Sequence, residues 1–140
     1  MTSSSSKNLR TPKITRYFCA LLWIGACNLA LAASPADTTT RCGWFDNPTP
    51  GNATLVDKEG EWTVGMQGGH QAEGKWPTFP KARWVATGTG SAGYGCACLK
   101  LSARSDTQDV IKISSARSLP LTTCRQDKTL IGKEPENPLK

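Results

Sequence analysis

Tyr94-Gly95-Cys96-Ala97-Cys98-Leu99-Lys100-Leu101-Ser102-Ala103, followed after the polar run 104–109 by Val110-Ile111-Lys112-Ile113-Ser114-Ser115-Ala116, is the most strand-like pair of segments in the chain. A two-residue period puts Ala97, Leu99 and Leu101 on one side of the first segment and Cys96, Cys98 and Lys100 on the other. Ile111 and Ile113 supply the matching aliphatic face on the second segment, so a hairpin is expected with its cysteines off that face. A Cys-x-Cys pair rarely closes on itself, because the ring is too tight for normal disulfide geometry. Cys96 and Cys98 are therefore expected each to receive an incoming segment, one from Cys42 and one from Cys124, strapping 41–45 and 119–124 across the outer face. Two connectivities satisfy this. Hairpin register favours Cys96 with Cys124 and Cys42 with Cys98, because it returns the end of the second strand towards the start of the first.

Outward from this hairpin the same grammar repeats. Residues 53–57, a turn through Lys58-Glu59-Gly60 and residues 61–66 read as another hairpin, with Trp62, Val64 and Met66 on one buried face. A Gly- and Pro-rich connection follows at 67–80, and then a short strand at 83–87 with a glycine-punctuated turn through Gly88, Gly90 and Gly93. There is no repeat, heptad or amphipathic helix in this region. The fold class is all-β: a small disulfide-stapled antiparallel sheet or partly closed β-barrel.

The N-terminus reads differently. Lys7, Arg10, Lys13 and Arg16 precede an apolar run at 17–31 that ends in Ala30-Leu31-Ala32, the pattern of an export signal cleaved after Ala32. The run is too short for a spanning helix, and no later segment is apolar enough to be one. Ile24-Gly25-Ala26-Cys27 also resembles a lipobox, which would place a lipid anchor on Cys27; the apolar Leu29-Ala30-Leu31-Ala32 after it argues for simple cleavage. The domain plan is a signal peptide at 1–32, a flexible segment at 33–40, one β domain at 41–131 and a flexible tail at 132–140. Export to the periplasm or beyond makes the four later cysteines a disulfide framework rather than a thiol or zinc site.

The basic balance belongs largely to the signal. The chain carries 17 Lys and Arg against 11 Asp and Glu. Four of the cations lie before residue 33 and all the acids after it, leaving thirteen against eleven on the mature chain. No basic stripe remains to recruit nucleic acid, and neither a metal nor a cofactor is implied.

Two stretches carry the candidate site. Residues 41–52 hold Trp44 and Phe45 beside an Asp-Asn-Pro turn, either plugging the core or presenting a rigid aromatic platform. Gln67-Gly68-Gly69-His70-Gln71-Ala72-Glu73-Gly74 holds the single histidine between amides and a carboxylate. Trp44, Phe45, Gln67, His70 and Gln71 are the candidate binding residues. His70 as general base with Glu73 or Asp46 as its orienter is the catalytic alternative. Trp62, Trp76 and Trp84 could line a sugar or peptide groove, although Trp62 alternates with core residues. Asp57, Glu59 and Glu61 around the first hairpin turn lack the spacing of a calcium loop and read as solvated turn charges.

The stretches Arg41-Cys42-Gly43-Trp44-Phe45-Asp46-Asn47-Pro48-Thr49-Pro50-Gly51-Asn52, Glu61-Trp62-Thr63-Val64, Gln67-Gly68-Gly69-His70-Gln71-Ala72 and Tyr94-Gly95-Cys96-Ala97-Cys98 together resemble the bacterial domain of unknown function 4087, a family of short exported proteins. The resemblance spans roughly residues 41–130; it implies export and a bacterial envelope setting and names no reaction. The resulting expectation is an envelope protein acting as a non-catalytic binding module, an inhibitor or an accessory protein. Its partner is an envelope protein, a peptide or a glycan. A small hydrolase using His70 is the competing reading.

Overall fold

The computed structural model describes residues 37–140; the expected export signal at 1–32, its expected cleavage point and the candidate lipid-anchor residue Cys27 lie outside the described residues. Seven strands follow in order: β1 (Thr38–Thr49), β2 (Asn52–Val56), β3 (Glu61–Gly65), β4 (Glu73–Gly74), β5 (Val85–Ala86), β6 (Gly93–Arg104) and β7 (Asp109–Leu119). A short helix, α1 (Leu121–Gln126), follows them. Among the described residues no helix is long and apolar enough to cross a membrane.

β1, β2 and β3 form a meander, after which β6 returns beside β1, the spatial order of a Greek key. β7 then pairs with β6 on one side and touches β3 on the other, so the five main strands form a ring. The sheet is antiparallel apart from the contacts of β7 with β3 and β4, which are parallel. This five-stranded, partly open Greek-key barrel is the architecture of OB-folds. Between β3 and β7 the ladder is a single residue pair, Thr63 with Asp109, supported by the Thr63 N–H donating to the Gln108 carbonyl at 2.8 Å. Gln108 holds the left-handed conformation (φ 56°) in the β6–β7 turn.

Strand parity produces two cores. Inside the ring lie Phe45, Leu55, Trp62, Val64, Ala97, Leu99, Leu101, Val110 and Ile113. Outside it, Trp44, Tyr94, Cys96, Cys124 and Leu130 form a second buried cluster on the faces of β1 and β6. That outer face is dry because the C-terminal segment folds back over it, held by the Cys96–Cys124 disulfide. The other bridge joins Cys42 to Cys98. These two residues stand directly opposite each other in the β1–β6 ladder. Residues 119–124 therefore strap the outer face as expected, whereas 41–45 does not cross it. It lies alongside β6 as a neighbouring strand.

Four expectations need correction. Met66 lies outside the buried face of Trp62 and Val64 and is 52% exposed. β3 ends at Gly65, and Met66 begins a turn in which its carbonyl accepts the Gly69 N–H. Val110, not Ile111, joins Ile113 in the core, because the pairing slips between Ser102/Lys112 and Ala103/Val110 and leaves Ile111 as an extra residue. One inserted residue reverses the facing of its neighbours. The N-terminal boundary at residue 41 falls too late: Thr38, Thr39 and Thr40 already pair with Ser102, Leu101 and Lys100. The tail read as flexible from 132 is docked at its start, where Lys133 donates to the Asp57 carbonyl at 2.7 Å and Glu134 accepts from the Tyr94 hydroxyl at 3.0 Å.

The Glu134 latch is expected to respond to pH. Paired hydrogen bonds from Arg125, with partial burial opposing and the Tyr94 hydroxyl assisting, hold its carboxyl below the usual carboxylate range. A depressed folded-state value means that the latch contributes above the carboxylate's ordinary titration range and is lost as pH falls through the lowered value. Protection of the amides of residues 130–134, each rate being referred to the intrinsic exchange rate at the same pH, is therefore expected to fall on acidification below the usual glutamate range, while β6 core amides stay protected. An equal loss of protection in both regions would contradict a local latch.

Candidate functional site

The structure disperses the residues first singled out by sequence. Trp44 is 1% exposed, edge-to-face with Tyr94 at 5.6 Å in the outer cluster, so it offers no platform to a partner. Phe45 is 3% exposed and points into the ring. Gln67 is exposed; its backbone N–H donates to Asn52 Oδ1 at 2.7 Å. The Gln71 amide donates to the carbonyls of Gly51 and Met66, tying the loop to the β1–β2 turn.

His70 serves the seam of the barrel. Its Nε2 lies 2.7 Å from the Val110 carbonyl, and because a carbonyl only accepts, Nε2 carries the hydrogen. The Ala72 N–H donates to the Val64 carbonyl of β3, and Glu73 and Gly74 pair with Lys112 and Ile113 of β7. Residues 70–74 thereby fill the opening where β3 and β7 part. Among the described residues His70 forms no ion pair, and neither Glu73 nor Asp46 hydrogen-bonds to it. Glu73 is exposed. Asp46 is half-buried, and burial together with the Glu61 carboxylate raises its pKa above the ordinary range, against a hydrogen bond from the Asn47 backbone. The arrangement gives His70 a pinning role and assembles no base-and-orienter pair.

One of the two stretches, 41–52, does line a cleft, together with side chains that lie outside both. A cleft of about 270 Å³ is lined by Phe45 and Asn47 of β1, Trp76 and Phe79 of the long connection, Trp84, and Ser91 of the turn before β6. It opens beside the β1–β2 turn at Gly51. Phe45 lies 5.9 Å from both Trp76 and Phe79, and Phe79 lies 4.8 Å from Trp84, centroid to centroid. These are the separations of mutually packed rings.

Missing side chains on two strands make room for the aromatics. A Cβ at Gly65 would stand 2.5 Å from the Trp76 ring, and one at Gly95 would stand 2.5 Å from Phe79 and 2.7 Å from the Arg83 carbonyl. Glycine within a strand marks such a close approach. Gly95→Ala is expected to cost about 1–3 kcal/mol through overpacking and to push Phe79 out of the cleft wall. A lower urea midpoint with an altered near-ultraviolet aromatic spectrum checks it; an unchanged spectrum would show that Phe79 is not seated there.

The polar side of the cleft is uncharged. Asn47 is 5% exposed; its Nδ2 donates to the Ser91 carbonyl at 2.9 Å and more weakly to the Ser91 hydroxyl. Its Oδ1 has no hydrogen-bond partner among the described residues. Two other buried side-chain atoms share that condition, Arg41 Nε and Trp44 Nε1, and neither residue lines the cleft. Sequence reading flagged Trp76 and Trp84 as groove candidates and missed Phe79, Asn47 and Ser91. The strand glycines opposite Trp76 and Phe79 were the available signal.

No curated protein and no solved structure matches the chain. A family model does, over residues 36–131, a span that contains both disulfides and every cleft residue named above. With more than half of its length so matched, the chain belongs to the family described as Protein of unknown function (DUF4087).

Proposed function

We propose that the protein is an exported binding module of the bacterial envelope and that the cleft between β1 and the 76–84 segment is its ligand site. Export is supported by the basic and apolar N-terminal pattern and by two disulfides, which persist in oxidising compartments. Binding is carried by one observation: four aromatic rings, three of them only partly buried, line a concave site that has no charged side chain in its wall. Pockets of this kind, mostly apolar with a few placed polar groups, are where small ligands bind. The barrel architecture by itself does not argue for any function.

The test is an amide and indole chemical-shift map of the natively exported protein against fractions of envelope extract. The active fraction is expected to shift signals of Phe45, Asn47, Trp76, Phe79 and Trp84, and Trp76→Ala is expected to weaken binding at least about tenfold, or roughly 1.4 kcal/mol. Shifts confined to residues 67–73, or equal binding by Trp76→Ala, would reject this cleft.

A further inference from the structure

We propose that the Cys42–Cys98 bridge is a site of thiol–disulfide exchange, opened at Cys42 by the thiolate of a dithiol partner, while Cys96–Cys124 is a closed structural bond. The proposal is independent of the aromatic cleft. Its first ground is access. Cys42 is exposed and Cys98 half-buried, whereas Cys96 and Cys124 are 0% and 3% exposed. Exchange proceeds by attack of a thiolate on a disulfide sulfur, so a sulfur closed to solvent reacts only after its surroundings open. Trw44 and Leu130 belong to the cluster that encloses the second bridge, and the latch of Tyr94, Arg125 and Glu134 holds its cover in place.

The second ground is shape. β1 pairs with β2 only from Trp44 onward, so beside Cys42 the strand has β6 on one edge and no partner strand on the other. A depression of about 310 Å³ lies there, with Cys42 in its wall together with Thr40, Arg41, the β2–β3 turn, and Asp127 and Thr129 beyond α1. A cysteine on a protruding segment of a partner can approach Cys42 from this side without displacing a strand.

The third ground is charge. The β6–β7 ladder sets Arg117 directly opposite Cys98, and Lys100 stands two residues along β6 on the same face. Neither cation forms an ion pair among the described residues. The other positions on that face around the bridge are Thr40, Trp44, Cys96 and Ser115, none of them acidic. The carboxylates that border the depression are engaged: Asp57 and Glu59 with Arg41, and Asp127 with Thr129. A thiolate leaves faster where positive charge stabilises it, so Cys98 is the leaving sulfur.

The step balances as follows from the two sulfurs. A thiolate of the dithiol attacks Cys42 Sγ, a mixed disulfide forms, and the Cys42–Cys98 bond breaks with its electron pair going to Cys98. The partner's second thiol, losing its proton, then attacks its own bridged sulfur and releases Cys42 as a thiolate. Both released thiolates take up protons. Two electrons have passed to the bridge, the partner has become a disulfide, and the 56-residue separation between Cys42 and Cys98 is no longer closed by a covalent bond.

The experiment exposes the natively exported protein at neutral pH, without denaturant, to dithiothreitol as the dithiol and to glutathione as a monothiol. Acid-quenched aliquots are alkylated and mapped by mass spectrometry. Cys42 and Cys98 are expected to become alkylated at least about tenfold faster than Cys96 and Cys124, and glutathione is expected on Cys42. Arg117, an exposed residue, is replaced in R117Q; the variant is expected to open the first bridge about threefold more slowly at low salt and to leave the second unchanged. Mapping of the wild-type protein decides the main claim even if that variant folds poorly. A common rate for both bridges would mean that reduction passes through global unfolding and would overturn the proposal, as would earlier opening of Cys96–Cys124. Glutathione on Cys98, or an unchanged rate in a folded R117Q, would overturn the assignment of Cys42 as the attacked sulfur and Cys98 as the assisted leaving group.

Discussion

Replacing Cys42 and Cys98 together by alanine is expected to lower the unfolding free energy by about 4 kcal/mol, the chain-entropy value for a bridge of this span. The two residues are 56 positions apart in sequence and directly opposite in the ladder that closes the Greek key. Without the bridge, the β1–β6 pairing must be gained from an open chain of that length. Cys42 is exposed and Cys98 half-buried, so the double variant leaves little void and isolates the loop-closure contribution. A loss of this size approaches the whole net stability of a domain at the lower end of the usual range of about 5–15 kcal/mol. The urea midpoint should fall by a shift on the order of 2 M. A drop below about 1 kcal/mol would show that hydrogen bonding and packing alone close the ring, because disulfide stabilisation by chain entropy is model-dependent.

The second bridge should behave differently. Cys96 and Cys124 are buried within the outer cluster, beside Trp44, Tyr94 and Leu130. Their loss removes packing as well as a 28-residue tether, and it acts on the C-terminal cap. Stability is therefore expected to vary along the chain, with the ring as one unit and the strap as a second that opens first. The latch of Tyr94, Arg125 and Glu134 belongs to the strap, which is why its titration should open that segment first.

Much of this was legible because strand parity is written locally. The alternation in β6 separated Ala97, Leu99 and Leu101 from Cys96 and Cys98 without reference to any partner, and it pointed to the observed connectivity. Parity fails where a residue is inserted, and Ile111 and Met66 were misassigned at the slip in β7 and at the end of β3. The site was harder to read. Trp44 and Phe45 are consecutive and face opposite sides of β1, and which side holds a cavity depends on distant chain. The C-terminal strap covers the Trp44 face, and the 76–84 segment leaves an opening on the Phe45 face. Neither event has a local signature. The single histidine attracted a catalytic reading because residue chemistry is visible in sequence, whereas its bond to the Val110 carbonyl is not.

The same blindness applied to Asp57, read as one of three solvated turn charges, and its replacement carries the other large expected effect. The side chain is 4% exposed at the β2–β3 turn. Its Oδ1 accepts the N–H groups of Glu59 and Gly60 and the Trp62 indole N–H, at 2.7, 3.0 and 3.1 Å. Its Oδ2 meets Arg41 Nη1 at 2.7 Å, and the guanidinium lies 3.7 Å from the centroid of the Trp62 ring it covers. Asp57→Ala would leave two turn amides and a buried indole without an acceptor. Arg41, its own side chain only 12% exposed, would keep only Glu59, which is 52% exposed. Removing one partner of such a pair costs about 3–5 kcal/mol, because the survivor stays buried and uncompensated. Asp57→Asn, which keeps an acceptor oxygen, should lose less, and Glu59→Ala should lose under about 1 kcal/mol as a solvent-screened partner. Urea unfolding of the three variants checks that order. If Asp57→Ala and Glu59→Ala were equal, the carboxylate of Asp57 would be a surface charge after all, and the Arg41–Trp62 stack would stand without it.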